Sequence, residues 1–204
     1  MKKGIFITFE GADGCGKTTQ IELIKKYLDE KKVKNIQTRE PGATELGVEL
    51  RKILLHYEKP VSDVAETYLY LADRAQHVEY EIKPLLEEGT VVLCDRYTDS
   101  TVSYQGYARG QNIDTIKKLN EIATKGLKPD LTIVFDIESE IAQKRLGGEK
   151  DRLEKEGIEF HKKLRFGYLE LAKEEPERIK VINADDTIEN IHKKVVELIS
   201  GYIV

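Results

Sequence analysis

Residues 5–18 read IFITFEGADGCGKT, and Gly11-Ala12-Asp13-Gly14-Cys15-Gly16-Lys17-Thr18 fits the pattern G-x-x-x-x-G-K-[ST] at every position. The apolar run Ile5–Phe9 ahead of it reads as a buried strand. The segment from Thr18 to about Lys31 behind it reads as a helix, with Ile21, Ile24 and Leu28 on one face. Glycines let the backbone curl until successive N–H groups point inward at phosphate oxygens, and the helix N-terminus adds partial positive charge. Lys17 suits the β- and γ-phosphates, and the Thr18 hydroxyl suits Mg²⁺. Gly11, Ala12, Asp13, Gly14, Cys15, Gly16, Lys17, Thr18 and Thr19 are the expected ATP-binding set.

Four further apolar runs follow: Ile36–Thr38, Val91–Cys94, Leu131–Phe135 and Ile179–Ile182. Rich in Val, Ile and Phe and short of charge, they read as strands covered on both faces. Helical patterns lie between them. The longest is an apolar stripe through Val64, Tyr68, Leu71, Ala75, Val78, Ile82 and Leu85; another joins Ile188, Ile191, Val195 and Leu198. Strands alternating with helices give an α/β fold: a parallel five-stranded sheet with helices on both faces. The 204 residues fit one domain spanning 1–204. Within it, Lys144–Gly157 (KRLGGEKDRLEKEG) is nearly all polar. It reads either as a solvated helix end and loop or as a mobile lid.

A net charge of −4 argues against a nucleic-acid polymer as partner. No run of about 20 apolar residues exists, so no membrane span is expected. Met1-Lys2-Lys3 leads straight into the first strand, and two cysteines form no disulfide framework, so a cytoplasmic protein is expected.

The phosphate loop leaves three classes open: a small-molecule kinase, a GTPase switch, and an ATPase motor or binding module. A GTPase usually carries N-K-x-D after a later strand, and the sequence has none. A kinase needs a second pocket for its acceptor. Three segments offer one: Thr38–Thr44 (TREPGAT) after the second strand, Asp73-Arg74 on the long helix, and Asp95–Gly106 after the third strand. Ligands of open parallel sheets bind beyond strand C-termini, where these segments should gather.

Read from chemistry alone, Arg96 is a forked cation at a strand end, suited to an acceptor phosphate or to an Asp95 ion pair. Arg39 carries the same two readings. Asp95 ends an apolar strand, where a carboxylate assists Mg²⁺. Asp13 sits in the phosphate loop, where its charge opposes phosphate, so it should bind something else. Tyr70 and Arg74 are one turn apart at the edge of the buried stripe. They fit either a base-stacking ring with a carbonyl-binding guanidinium, or a wall tyrosine with a surface arginine. Thr101, Tyr104 and Gln105 are sugar and base candidates, or ordinary helix packing.

The ordered set Phe9–Thr18, Thr38–Thr44 and Asp95–Gly106 resembles the thymidylate kinase family: F-E-G-x-D-G-x-G-K-T, T-R-E-P-G-G-T, and D-R-[YF] followed by S-x-x-A-Y-Q-G. The resemblance runs essentially end to end. It implies the P-loop NTPase fold, a homodimer, Mg²⁺ with ATP as phosphate donor, and dTMP as acceptor. It implies a dTMP site of Asp13, Arg39, Pro41, Tyr70, Arg74, Arg96, Thr101, Tyr104 and Gln105, with Asp13 on the 3′-hydroxyl and Glu10 supporting the region. The metal would be served by Thr18 and Asp95. Three departures stand out. Tyr70 replaces the usual Phe, and Ala43 replaces the second glycine, which bears on whether a positive φ is needed there. Gly14 occupies the position where some members carry a transition-state arginine in the loop, which shifts that role to the lid. There Arg145, Arg152 and Lys150 are candidates, with an Asp151–Arg152 pair possible. The expected catalytic set is Lys17, Arg96, Arg145 and Arg152.

Overall fold

The computed structural model describes residues 4–147 and 151–203. Lys150 and Gly148 lie outside them, so the central part of the expected lid is not placed. Five strands form the sheet: β1 Ile5–Glu10, β2 Asn35–Arg39, β3 Val91–Asp95, β4 Leu131–Asp136 and β5 Ile179–Asn183. All pair in parallel, in the order β2-β3-β1-β4-β5. Each expected strand is present and runs one or two residues further. The expectation of two covered faces holds for β1, β3 and β4. It fails for β2 and β5, which lie at the sheet edges and are half exposed.

The chain leaves β1 through the phosphate loop into α1 Lys17–Glu30, whose Ile21, Ile24 and Leu28 are fully buried. It returns in β2 beyond β3, then crosses back to β4 on the other side of β1. That reversal makes the C-terminal end of β1 the switch point of the sheet, where a ligand crevice forms. The register brings the motifs level there: Asp95 pairs with Phe9 on one side and with Arg39 on the other.

The remaining helices are α2 Glu45–His56, α3 Asp63–His77, α4 Lys83–Glu87, α5 Thr98–Thr101, α6 Ile113–Thr124, α7 Ser139–Arg145, α8 Ile158–Glu174 and α9 Ile188–Ser200. A π-helical turn, Val78–Ile82, links α3 to α4, so the long stripe runs along one continuous helical segment. Another, Val102–Ala108, continues α5. Thr44 caps α2 by accepting from Gly47 N–H, and Ser62 caps α3 by accepting from Ala65 N–H. The stripe is buried at Leu71, Val78 and Ile82, but Ala75 between them is exposed. The first turn of the stripe is not buried: Val64 is 56% and Tyr68 57% exposed. Here α3 packs against α2 and α6, which leave Val64 and Tyr68 uncovered.

Candidate functional site

The phosphate loop curls as its glycines require. A Cβ at Gly14, whose φ is +82°, would lie 2.4 Å from the Ala142 carbonyl oxygen of α7. No side chain fits there while α7 packs over the loop, so this arrangement excludes an arginine at that position. Lys17 is buried, and its ammonium donates to the Gly11 carbonyl at 3.0 Å and the Ala12 carbonyl at 3.2 Å. Thr18 and Thr19 are exposed at the start of α1. Cys15 points into the core, where burial raises its thiol pKa, and both cysteines are free. The positive-φ requirement near Ala43 falls on Gly42, at φ +106°, and Ala43 is not among the positive-φ residues.

Beside the loop opens a cleft of about 530 Å³, in part open to solvent. Of the expected acceptor residues, Asp13, Pro41, Tyr70, Arg74, Arg96, Thr101, Tyr104 and Gln105 line it. Arg39 does not; it is exposed beyond the cleft. Arg51, on α2, does line it and was not expected from the sequence. Its Nη1 donates to the Pro41 carbonyl at 2.8 Å. Burial, with Arg39 and Arg96 nearby, lowers its pKa, a mark of crowded positive charge. The available signal was its place two turns into the helix that follows the Thr38–Thr44 loop. Glu40 and Ser100, from two of the expected segments though not singled out, also line it, and Leu55, Asp151 and Leu153, which were not expected there, complete the lining.

Arg96 joins the two halves of the site. Its backbone lies at φ +71°, a left-handed conformation uncommon outside glycine. Hydrogen bonds hold it there: Arg96 N–H donates to the Phe9 carbonyl at 3.0 Å, and Tyr97 N–H to Glu10 Oε1 at 2.8 Å. Its guanidinium donates to the Gly11 carbonyl at 3.0 Å, Tyr168 Oη at 3.2 Å and Asp13 Oδ1 at 2.5 Å. It also stacks 5.2 Å from the centre of the Tyr104 ring. Arg96 therefore pairs with Asp13, not Asp95. Burial works against the Asp13 carboxylate, but Arg96 and then Lys17 outweigh it and hold its pKa well below the usual range. Tyr104 Oη donates to Asp13 Oδ2 at 3.1 Å. Behind Arg96, Glu10 accepts from Ser100 Oγ at 2.6 Å and Tyr168 Oη at 3.1 Å, while burial and then Asp99 push its pKa upward.

Arg74 is not a surface arginine. It is 1% exposed and bonded to Glu40, Thr101, Asn120 and the Tyr97 carbonyl. Tyr70, half-buried, lines the cleft one turn before it.

The lid candidates face different ways. Arg152 does not pair with Asp151. Its Nη1 reaches the fully buried Glu66 of α3 at 2.5 Å, and its Nε donates to the Leu54 carbonyl at 3.0 Å. Glu66 also accepts from Gln105 at 2.8 Å and pairs with Arg109 at 3.3 Å. Asp151 instead accepts from the Leu153 and Glu154 N–H groups, both at 2.8 Å. Arg145 turns to the Ala184 carbonyl and to Asp185, with its side chain 40% exposed. An exposed ion pair contributes little and exchanges easily, whereas parting from a buried carboxylate is costly. Arg145→Ala should thus lower kcat at least about 10-fold with a smaller change in KM for ATP. Arg152→Ala should mainly raise KM for the cleft's ligand. Steady-state kinetics on both variants checks this; equal, near-wild-type kcat and KM in both would contradict it.

Thr18 and Asp95 could hold a divalent cation. The Thr18 hydroxyl is accessible, and Asp95 Oδ1, at the end of β3, is buried and accepts no hydrogen bond. A hydroxyl and a carboxylate are hard oxygen donors, the chemistry Mg²⁺ selects.

A model of the family described as thymidylate kinase matches residues 9–195. A thymidylate kinase of Trichormus variabilis is 46% identical over 98% of this chain and 97% of its own length. One from Thermoanaerobacter sp. is 48% identical over 98% of this chain and 100% of its own. The crystal structure of thymidylate kinase from Ehrlichia chaffeensis superposes with a TM-score of 0.80 at 33% identity, covering 97% of this chain and 99% of that one.

Proposed function

The chain belongs to the thymidylate kinase family, and on that premise we propose how its residues share the work. The protein is an ATP-dependent nucleoside-monophosphate kinase that moves the γ-phosphate of ATP onto dTMP, giving dTDP for dTTP synthesis. The observation that carries the assignment of residues is the position of Arg96. It bonds the phosphate loop at Gly11 and Asp13 and also lines the acceptor cleft, so one cation serves both phosphates.

On the donor side, Gly11 to Thr19 wrap the ATP phosphates, and Lys17 leaves the Gly11 and Ala12 carbonyls for the β- and γ-oxygens. Thr18 and Asp95 would hold Mg²⁺, which would supply positive charge to the triphosphate. On the acceptor side, Arg96 and Arg51 hold the dTMP phosphate, with Arg39 at the rim. Asp13, kept ionised by Arg96, accepts the sugar 3′-hydroxyl, and Tyr104 packs against the sugar. Tyr70 stacks on the base, Arg74 bonds a base carbonyl, and Pro41, Thr101 and Gln105 shape the walls. Transfer is in line and needs no covalent enzyme intermediate. The acceptor phosphate is already anionic at neutral pH, so no strong general base is required. Arg145 is the lid cation free to move toward the transferring group.

Kinetics with related acceptors test this pocket. The thymine methyl is worth about 1 kcal/mol of burial, so dUMP should react with kcat/KM lower by roughly 10-fold. UMP should be poorer still if Tyr104 crowds the 2′ position. A UMP rate equal to that of dTMP would remove Tyr104 from the sugar site.

The working form is a single-domain protein that pairs as a homodimer, in the cytoplasm. Support for pairing comes from the exposed apolar first turn of α3, where Val64 and Tyr68 lie one turn apart on one face. Tyr68→Glu should shift the protein from dimer to monomer in light scattering with its helix content intact. An unchanged mass would place the contact elsewhere. The free, buried thiols of Cys15 and Cys94 support the cytoplasmic setting. No helix among the described residues is long and apolar enough to cross a membrane.

A further inference from the structure

Asn120 lies on α6, outside every motif, and is 3% exposed. Its Oδ1 accepts from Arg74 Nη1 at 2.6 Å. Its amide nitrogen finds only the Thr98 carbonyl, at 3.5 Å, the far limit of a hydrogen bond. What Asn120 offers its surroundings is therefore mainly one acceptor oxygen, aimed at one guanidinium.

Arginine carries five N–H groups in a rigid planar fork. In Arg74, Nε donates to Glu40 at 2.8 Å and Nη2 to the Tyr97 carbonyl at 2.8 Å. Nη1 donates to Thr101 Oγ1 at 2.6 Å and to Asn120. Four N–H groups are thus taken by protein, and the fifth, on Nη2, belongs to a side chain that lines the acceptor cleft. Because the fork is planar, fixing the other four fixes the direction of the fifth. Thr101 gives Nη1 a hydroxyl that can rotate. Asn120 gives it an amide oxygen from a buried side chain on a separate helix.

We infer that Asn120 is a specificity-positioning residue: it sets the plane of the Arg74 fork so that its one uncommitted N–H meets a carbonyl of the acceptor base. This rests on the reading of Arg74 as the base contact. An N–H donor fixed in that place accepts thymine, which presents a carbonyl at ring position 4, and repels cytosine, which presents an amino group there. Without Asn120 the fork keeps Glu40, the Tyr97 carbonyl and the rotatable Thr101 hydroxyl but loses its fourth anchor, so a small turn of the plane would weaken that distinction while still filling the same space.

The test compares Asn120→Leu, which keeps the volume and removes the acceptor, with Asn120→Asp, which keeps the acceptor. Steady-state kinetics are run with dTMP, dCMP and ATP varied in turn, alongside thermal melts. Asn120→Leu should raise KM for dTMP about 10-fold and shrink the dTMP-over-dCMP preference by a similar factor, with KM for ATP and kcat within about twofold. Asn120→Asp should keep both KM and preference near wild type. If Asn120→Leu does not fold, Asn120→Ala takes its place with the same expectation. A folded Leu or Ala variant with unchanged dTMP KM and unchanged preference would overturn the inference. So would equal losses in the Leu and Asp variants, which would make Asn120 a packing residue. A wild-type enzyme that does not prefer dTMP to dCMP would instead strike the Arg74 reading itself, and this inference with it.

Discussion

Replacing Lys17 by Ala should lower turnover by about 10²-fold or more, because one charge contact made to the transferring group in the transition state is lost. The fold should survive. Lys17 belongs to no apolar cluster, and its two charge-assisted bonds to the Gly11 and Ala12 carbonyls, worth about 1.5–3 kcal/mol each, are offset in part by the release of a buried ammonium. A thermal melt paired with the kinetic assay separates the two effects. A variant keeping more than about a tenth of wild-type turnover would mean that residues 11–18 are not the donor site. A variant that simply unfolds would mean that Lys17 supports the loop itself.

Arg96 should show the second large effect, and of a different kind. It faces both phosphates, so Arg96→Ala should lower kcat and raise KM for dTMP together, with kcat/KM falling by about 10³-fold or more. KM for ATP should move far less. Strain provides the control. Arg96 lies at φ +71°, so Arg96→Gly relieves a conformation that alanine keeps. The glycine variant should melt above the alanine variant and yet be equally inactive. If glycine recovers activity, the backbone and not the guanidinium is what the site needs. If only KM for ATP changes, Arg96 serves the donor alone.

Most of the frame was legible because it rests on short-range pattern. β1, β3 and β4 are unbroken apolar runs, and the G-x-x-x-x-G-K-[ST] loop declares the strand before it and the helix after it. β2 (NIQTR) and β5 (IKVIN) carry weaker, interrupted apolar patterns, and their exposed faces were not foreseen. Which strand lies at an edge is a property of sheet order, and no local pattern in Asn35–Arg39 or Ile179–Asn183 encodes it. The stripe on α3 failed at Val64 and Tyr68 on similar grounds. Periodicity reports an apolar face and does not say whether this chain covers it.

The site divides in the same way. Asp95 and Arg96 sit at the end of β3 and Lys17 and Thr18 open α1 just after the phosphate loop, so topology alone places them at the crevice. Arg74 was misjudged as an edge residue because helix geometry gives only its direction. Its burial comes from Glu40 on one side and Asn120 on another, 34 and 46 residues away. The Arg152–Glu66 pair crosses from the lid to α3 and was equally hidden, so the adjacent Asp151 looked like the natural partner. Arg39 and Arg51 show the limit most plainly. The residue in the motif stays outside the cleft, and an arginine from the next helix enters it.

The most direct test is to follow label from γ-phosphate-labelled ATP in the presence of each monophosphate in turn: dTMP, dUMP, UMP, dCMP, dGMP and AMP, with Mg²⁺ and with EDTA. The account predicts label in dTDP, with dTMP the best acceptor, dUMP behind it, the purine monophosphates nearly inert, and no transfer in EDTA. Release of label to water at the same rate with or without dTMP, or a purine monophosphate as the best acceptor, would contradict it.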